Sequence, residues 1–334
     1  MEHLPTKSLG RNGPQVSAIG FGAMGLSGFY GPVQSEEERL AFLDETYKLG
    51  ERFWDTADIY EDSEVLIGKW LRRSGHRNNV FIATKFGQSK EGIHAIRSDP
   101  EYVHSACERS LQRLGVEQID LFYCHRLDRK TPIEDTVKAM VELKNAGKVK
   151  YLGFCEISAA SLRRACAVHP ITAVQIEYSP FSLEIEENGL LQTARELGVA
   201  VVAYSPLSRG LLTTRYQSLS DFAADDTRRV GPRFSADNFP RNREISTSLA
   251  AISAQKGCTL AQLTLAWILA QGEDVFPIPG TKSLKYLREN IEAARVRLSD
   301  EECQQIRDIV VKSSVKGARY PEEYVANPFE NLVS

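Results

Sequence analysis

What is scarce in this chain narrows its chemistry before any motif is read. The six cysteines, Cys107, Cys124, Cys155, Cys166, Cys258 and Cys303, include no C-x-x-C pair. A disulfide framework and a structural zinc site both lack their usual spacing, and free thiols in a reducing compartment are expected. No apolar run approaches the roughly 20 residues that span a bilayer; Leu260–Leu269 and Val199–Tyr204 are among the longest. Net charge is nearly absent: 41 Lys and Arg against 44 Asp and Glu leave −3, which excludes the basic footprint of a nucleic-acid binder or a polybasic membrane binder. The opening Met1-Glu2-His3-Leu4-Pro5 lacks the basic and then apolar pattern of a secretory signal, so a cytoplasmic protein is expected. His3, His76, His94, His104 and His169 lack metal-ligand spacing, and they are read as structural or solvated with no metal site.

What remains is an ordinary globular composition, 42% hydrophobic and 25% charged over 334 residues, which is enough for a large core. Length alone allows two domains of about 150 residues or one α/β barrel beyond about 250. Eight short β-rich runs decide between them: Ala18–Phe21, Arg52–Asp55, Val80–Thr84, Ile119–Cys124, Tyr151–Phe154, Ala173–Ile176, Ala200–Ala203 and Val275–Ile278. Helical segments lie between them, among them Glu101–Leu114, Pro132–Ala146, Ala159–Val168 and Glu184–Leu197, and capping-box spacing marks starts at Ser35 and Thr259. Alternation of this kind needs crossover connections and parallel strands, and eight units close a barrel. The expected fold is therefore a single α/β domain over residues 1–334, a (β/α)8 TIM barrel.

An open doubly wound sheet is the alternative, and it needs a Gly-rich dinucleotide turn leading into a helix. Gly20-Phe21-Gly22-Ala23-Met24-Gly25 has the glycine spacing, but Leu26–Val33, with Gly28, Gly31 and Pro32, reads as loop. An Asn12-Gly13 turn within Leu9–Val16 predicts an N-terminal β-hairpin plugging the barrel bottom. The long insertion Ser208–Arg243, rich in Arg, Asp and Pro, reads as a structureless lid. Two helices, Ser283–Ala294 and Ser299–Val311, and a tail with Tyr320, Tyr324 and Phe329 follow the last strand.

In such a barrel, catalytic groups sit where strands end at the C-terminal face. Asp55, Lys85 and His125 close the second, third and fourth strands. A lysine ending an apolar strand needs a carboxylate nearby, and Asp55 is the expected partner. Beside Tyr60, that lysine would stabilise a phenolate and lower the tyrosine's pKa from about 10, as a general acid near neutral pH requires. His125 could orient a carbonyl oxygen. Cys124 alternates away from the pocket. Phe29, Tyr30, Phe86 and Arg126 are candidates to line a substrate pocket, and the charge cluster Asp225-Asp226-Thr227-Arg228-Arg229 reads as a solvated part of the lid, although Arg209 nearby could recruit an acidic partner from it to clasp a cofactor.

Asp55-Thr56-Ala57-x-x-Tyr60, Lys85 and His125 together resemble the tetrad of the aldo-keto reductases, and Gly20-Phe21-Gly22-Ala23-Met24-Gly25, Gln175-Ile176-Glu177-Tyr178-Ser179, Ala203-Tyr204-Ser205-Pro206-Leu207 and Ile278-Pro279-Gly280-Thr281 extend the likeness over the chain. His125-Arg126-Leu127-Asp128 is similar to a subgroup that includes perakine and pyridoxal reductases. The resemblance implies reduction of a small-molecule aldehyde or ketone, with NADP(H) preferred over NAD(H). By position it puts Gly22 and Met24 along the cofactor, Tyr204 against the nicotinamide, and Cys155, Glu156 and Gln175 around its carboxamide. Ser205, Leu207, Arg209 and Gly210 would hold the pyrophosphate, Gly280, Thr281 and Lys282 the 2′-phosphate, and Glu289 and Asn290 the adenine.

Three positions depart from the family pattern. Cys155 stands where relatives commonly have Ser, a weaker donor that could make the site redox-sensitive. Ser208 replaces a Gly, and Tyr286 replaces an arginine directed at the adenine or 2′-phosphate. Two other readings of the chain are a Schiff-base aldolase using Lys85 and a cofactor-bound regulatory subunit with little turnover. The carboxylate of Asp55 opposes the first by keeping the lysine protonated.

Overall fold

The computed structural model describes residues 4–88, 96–224 and 226–321. Asp225, Tyr324, Phe329, His3 and His94 lie outside them. A hairpin, β1 (Thr6–Ser8) and β2 (Gln15–Ser17), precedes eight strands: β3 (Phe21–Gly22), β4 (Phe53–Asp55), β5 (Phe81–Phe86), β6 (Ile119–Cys124), β7 (Val149–Cys155), β8 (Ala173–Glu177), β9 (Ala200–Tyr204) and β10 (Val275–Pro277). These eight form one parallel sheet in sequential order. The seam between first and last closes through a parallel bridge of Gly22 with Gly280 and a bond from the Gly20 N–H to the Pro277 carbonyl, 2.9 Å. The fold is a (β/α)8 TIM barrel. Glycine is required at the seam, because a Cβ on Gly22 would come within 2.9 Å of the Ile278 carbonyl oxygen.

The predicted strands recur with shifted ends. The first begins at Phe21 rather than Ala18, since Ala18 bonds back to Pro5 and belongs to the hairpin side. The third runs on through Phe86, so that Lys85 lies inside the strand and not beyond it.

The helices follow as α1 (Met24–Ser27), α2 (Glu36–Lys48), α3 (Ser63–Ser74), α4 (Pro100–Leu114), α5 (Ile133–Asn145), α6 (Ala159–Val168), α7 (Glu184–Glu187), α8 (Leu190–Leu197), α9 (Asn238–Lys256), α10 (Leu260–Ala270), α11 (Leu284–Glu292) and α12 (Asp300–Ser313). Capping boxes at Ser35, Thr259 and Ser299 satisfy the free N–H groups that begin α2, α10 and α12. In α4, Asp99 caps the start and Pro100 occupies the first turn, while Gly115, at φ 65°, ends it in the left-handed region.

Four expectations need correction. The loop after the first strand contains one helical turn, α1, followed by Gly28 and by Gly31 at φ 69°. The hairpin turns through the six residues from Leu9 to Pro14, because Thr6 pairs with Ser17, Lys7 with Val16 and Ser8 with Gln15. The helix expected over Glu184–Leu197 breaks into α7 and α8 at Gly189, whose φ of 78° no helix accommodates. The insertion is not structureless: it winds through short 3-10 turns at Ser208–Gly210, Leu219–Asp221, Thr227–Val230 and Pro232–Phe234, and its end is the start of α9.

Strand alternation divides the apolar residues into two layers. Leu9 and Val16 of the hairpin region pack with Phe53, Leu121, Tyr123, Cys155, Val202 and Phe276 inside the barrel. Trp54, Phe86, Phe122 and Cys124 face outward into the larger core beneath the helices. The hairpin seals the end where strands begin, with Arg11 N–H bonded to Gly198 and the Lys7 ammonium to Gly272. The opposite end is left for the site.

Candidate active site

Asp55, at the end of β4, and Lys85, near the end of β5, point into the barrel from neighbouring strands. The Lys85 ammonium donates to Asp55 Oδ1 at 2.5 Å and to the Thr56 carbonyl at 2.7 Å, and it is fully buried. Gln175 of β8 reaches across the barrel and donates from Nε2 to Asp55 Oδ2 at 2.7 Å. Both carboxylate oxygens therefore have charged or polar partners, which a buried ion pair needs to offset desolvation. Burial pulls the Lys85 pKa down, but Asp55, Tyr60 and Cys155 outweigh it and hold the ammonium above its ordinary value.

Tyr60 arrives on the loop between β4 and α3. Its N–H bonds to Ala57, its carbonyl accepts from Ser63, and a buried bond between the Thr56 and Ser63 hydroxyls, 2.8 Å, fixes the turn. The Lys85 ammonium lies 4.9 Å from the centre of the Tyr60 ring, and the ring of His125 meets it edge-on at 5.9 Å. The four residues expected to act together are thus at one place. The expected lowering of the tyrosine pKa is not found in the ligand-free chain: burial raises it to about 12, with Lys85 opposing.

His125 follows β6, its N–H bonded to the Phe86 carbonyl. Its Nδ1 is buried without a partner. Burial, then Arg126, then Lys85 push its pKa well below the ordinary value, so the ring is neutral at neutral pH. That shift has a consequence for stability. Below about pH 6.5 the unfolded chain takes up a proton that the folded chain refuses, and stability falls by up to about 1.4 kcal/mol per pH unit. We expect His125→Asn to flatten the decline of the urea midpoint between pH 6.5 and 5; an unchanged slope would assign the acid sensitivity to other groups.

Of the proposed pocket residues, Phe29 meets Tyr60 edge-on at 5.9 Å and Arg126 is half-buried beside His125, donating to its carbonyl. Tyr30 lies under the Arg228 guanidinium, 5.0 Å from ring centre. Phe86 is a correction: because Lys85 points inward, Phe86 points outward, where it is fully buried and stacks on Phe122 at 4.8 Å.

The residues suggested for a cofactor come from β3, α1, the ends of β7, β8 and β9, the turns after β9 and β10, and α11. Cys155 is buried inside the barrel, and burial lifts its thiol to about 12, which argues against a reactive thiolate. Glu156 accepts from the Tyr204 hydroxyl at 2.8 Å and is gripped by both terminal nitrogens of Arg319 at 3.2 Å. Beyond β9, Ser205, Ser208, Arg209 and Gly210 all have positive φ, a strained turn closed by bonds from the Ser208 N–H to the Ser205 carbonyl and from the Gly210 N–H to the Leu207 carbonyl. Leu207 packs with Ile19 and Leu265 below it. Met24 lies on α1, and Glu289 and the buried Asn290 on α11. Lys282 donates to the carbonyls of Tyr30 and Pro32, both at 2.7 Å, which leaves a third ammonium proton.

The lid crosses this mouth. Thr227 donates to the Phe29 carbonyl at 2.7 Å, joining the insertion to the first loop. Its charge cluster is solvated only in part: Thr227 and Arg229 are exposed, whereas Asp226 is buried and clasps Arg228 at 2.6 Å. Among the described residues no lid aspartate clasps Arg209, whose carboxylate partner at 3.6 Å is Glu177. Sequence reasoning missed the tail's role, for Tyr320 bonds the Tyr204 hydroxyl at 3.1 Å and its ring lies under Arg209. It also missed Tyr123, directly opposite Lys85 in the register; two-residue alternation from His125 was the available signal.

Residues 18–311 match the aldo/keto reductase family. The chain is 54% identical over 323 residues to aldo-keto reductase str7 of Strobilurus tenacellus, covering 95% of each. It is 46% identical over 325 residues to aldo-keto reductase yakc [NADP(+)] of Schizosaccharomyces pombe, again 95% of each. Among solved structures it is similar to a glycerol dehydrogenase of Gluconobacter oxydans, TM-score 0.84 at 25% identity over 94% of this chain and 97% of that one. The holo form of an aldo-keto reductase of Bacillus halodurans gives 0.77 at 28% identity, over 94% and 98%. The chain belongs to the aldo/keto reductase family. Among the described residues no helix is long and apolar enough to cross a membrane, and no cluster of side chains is arranged to hold a metal ion.

Proposed function

We propose that the protein reduces aldehydes or ketones to alcohols with NADPH, using Tyr60 as proton donor. The observation that carries this is the Tyr60 phenol set between the Lys85 ammonium and the neutral His125 ring at the open end of the barrel. The donor set fits a dinucleotide phosphate: the Arg209 guanidinium, the Ser205 hydroxyl, and Lys282 with a proton to spare.

The nicotinamide, when bound, supplies a hydride to the carbonyl carbon. The protein does the rest. His125, neutral, donates one hydrogen bond and orients the carbonyl oxygen. Tyr60 gives its proton to the alkoxide oxygen, and Lys85, fixed by Asp55, stabilises the phenolate left behind. Gln175 holds Asp55 in place while its carbonyl oxygen stays available to a carboxamide. A Schiff base at Lys85 is disfavoured by the 2.5 Å contact to Asp55, which keeps the amine protonated.

Preference for NADP(H) rests on Lys282 and agrees with the name of the yeast relative. Six free cysteines favour a reducing, cytoplasmic setting. The reading is tested by fluorescence titration with NADPH and NADH, followed by aldehydes in the same cuvette while loss of the reduced cofactor is recorded. We expect NADPH to bind more tightly and to be oxidised only when aldehyde is added. Tight binding without turnover would shift the reading to a regulatory subunit, and failure to bind either cofactor would overturn it.

A further inference from the structure

Two cations lie against the Tyr286 ring, and a third, Lys282, is near enough to feel the charge of one of them. Arg215, on the insertion, places its guanidinium 5.6 Å from the centre of the Tyr286 ring and 5.0 Å from that of Tyr216. Lys285 lies 5.7 Å from the Tyr286 ring. Lys282, four residues before Tyr286, is held at the same edge of the mouth by the carbonyls of Tyr30 and Pro32. Among the described residues no carboxylate lies within 4 Å of Arg215, Lys282 or Lys285. Asp226, whose charge reaches Lys282, is already spent on Arg228, which it meets through both oxygens. Burial lowers the Lys282 pKa, and the nearby Arg215 and Arg228 guanidiniums lower it further.

Like charges held together are unfavourable in the free chain and become favourable when an anion enters between them. Two aromatic rings hold the Arg215 guanidinium at the spot, which limits the rotamer entropy lost on binding. Thr281, next to Lys282 in the chain, has a hydroxyl that accepts from the Ser283 N–H and keeps its own proton for a ligand. The chemistry of the cluster is that of a phosphate monoester site: one fixed ammonium, one planar guanidinium and a hydroxyl.

Resting on the NADPH reading above, we propose that Arg215 of the insertion is a specificity residue, pairing with Lys282 to bind the 2′-phosphate of NADPH and so supplying from another segment the cation that position 286 lacks. The lid then discriminates between cofactors as well as covering one. Arg215 is exposed, so its replacement leaves the fold intact, which a thermal melt verifies.

The test is equilibrium binding by cofactor fluorescence, with no substrate present. Arg215→Leu is expected to weaken NADPH at least tenfold, to change NADH less than twofold and to reduce the salt dependence of NADPH binding. Arg215→Lys should retain part of the discrimination. Equal weakening of both cofactors would make Arg215 a structural residue and overturn the proposal, as would unchanged NADPH affinity. If the unmodified protein binds neither cofactor, the underlying reading fails, an outcome distinct from a failure at Arg215 alone.

Discussion

Replacing Tyr60 with phenylalanine is expected to lower turnover by about 10²–10⁴-fold, the usual contribution of a positioned general acid, while NADPH binds as before. The ring remains, so the edge contacts with Phe29 and His125 persist and only the hydroxyl is lost. Direction of titration adds a second readout. Burial holds the Tyr60 phenol at about 12 in the free chain, so the proton is in place throughout the neutral range and the reductive rate should fall only on the alkaline side. In Tyr60→Phe that alkaline limb should vanish from the residual rate. Wild-type turnover in the mutant would remove Tyr60 from the donor role, and loss of NADPH binding would make it a cofactor residue instead. His125 is a poor substitute donor, since its neutral ring can lend a hydrogen bond but has no acidic proton to give near pH 7.

The barrel was legible because its grammar is local. Short β-rich runs, capping boxes at Ser35 and Thr259, and polar residues at strand ends each follow from a few neighbouring positions, and all eight strands recur within a few residues of their predicted ends. Asp55 and Lys85 were legible as a pair because a buried lysine has few tolerable environments. What stayed hidden depends on contacts between distant segments. Nothing near Gln175 announces that it will anchor Asp55, 120 residues earlier in the chain. The path of the insertion could not be read either, since its 3-10 turns are fixed by aromatic stacking of Tyr216 on Phe222 and by the buried Asp226–Arg228 pair. Helix α9 was missed for a related reason: its first turn lies in a segment whose Arg, Asn and Pro content reads as loop. Phe86 was misplaced by a single residue of register, which in a strand is enough to turn a side chain to the opposite face.

Lys85→Met separates the two tasks of the buried ion pair. The single change leaves the Asp55 carboxylate with only the Gln175 amide as a strong partner, and an uncompensated buried charge costs about 3–5 kcal/mol. We therefore expect a large loss of stability together with near-complete loss of turnover. In the double variant Asp55→Asn/Lys85→Met the charge is gone, the Gln175 contact can re-form to a neutral amide, and most of the stability should return, because a buried pair replaced by neutral groups of similar volume is often tolerated. Turnover should not return, since no cation is left to stabilise the Tyr60 phenolate. Urea denaturation and steady-state rates on the two variants read these effects independently. The pH dependence has a definite sign as well: the folded Lys85 pKa is raised, so its contribution is fully present below the unfolded value of about 10.4 and is lost only as pH climbs beyond it. A double variant that refolds and regains turnover would show that the phenolate needs no ammonium beside it, and the catalytic role assigned to Lys85 would fall while its structural role stood.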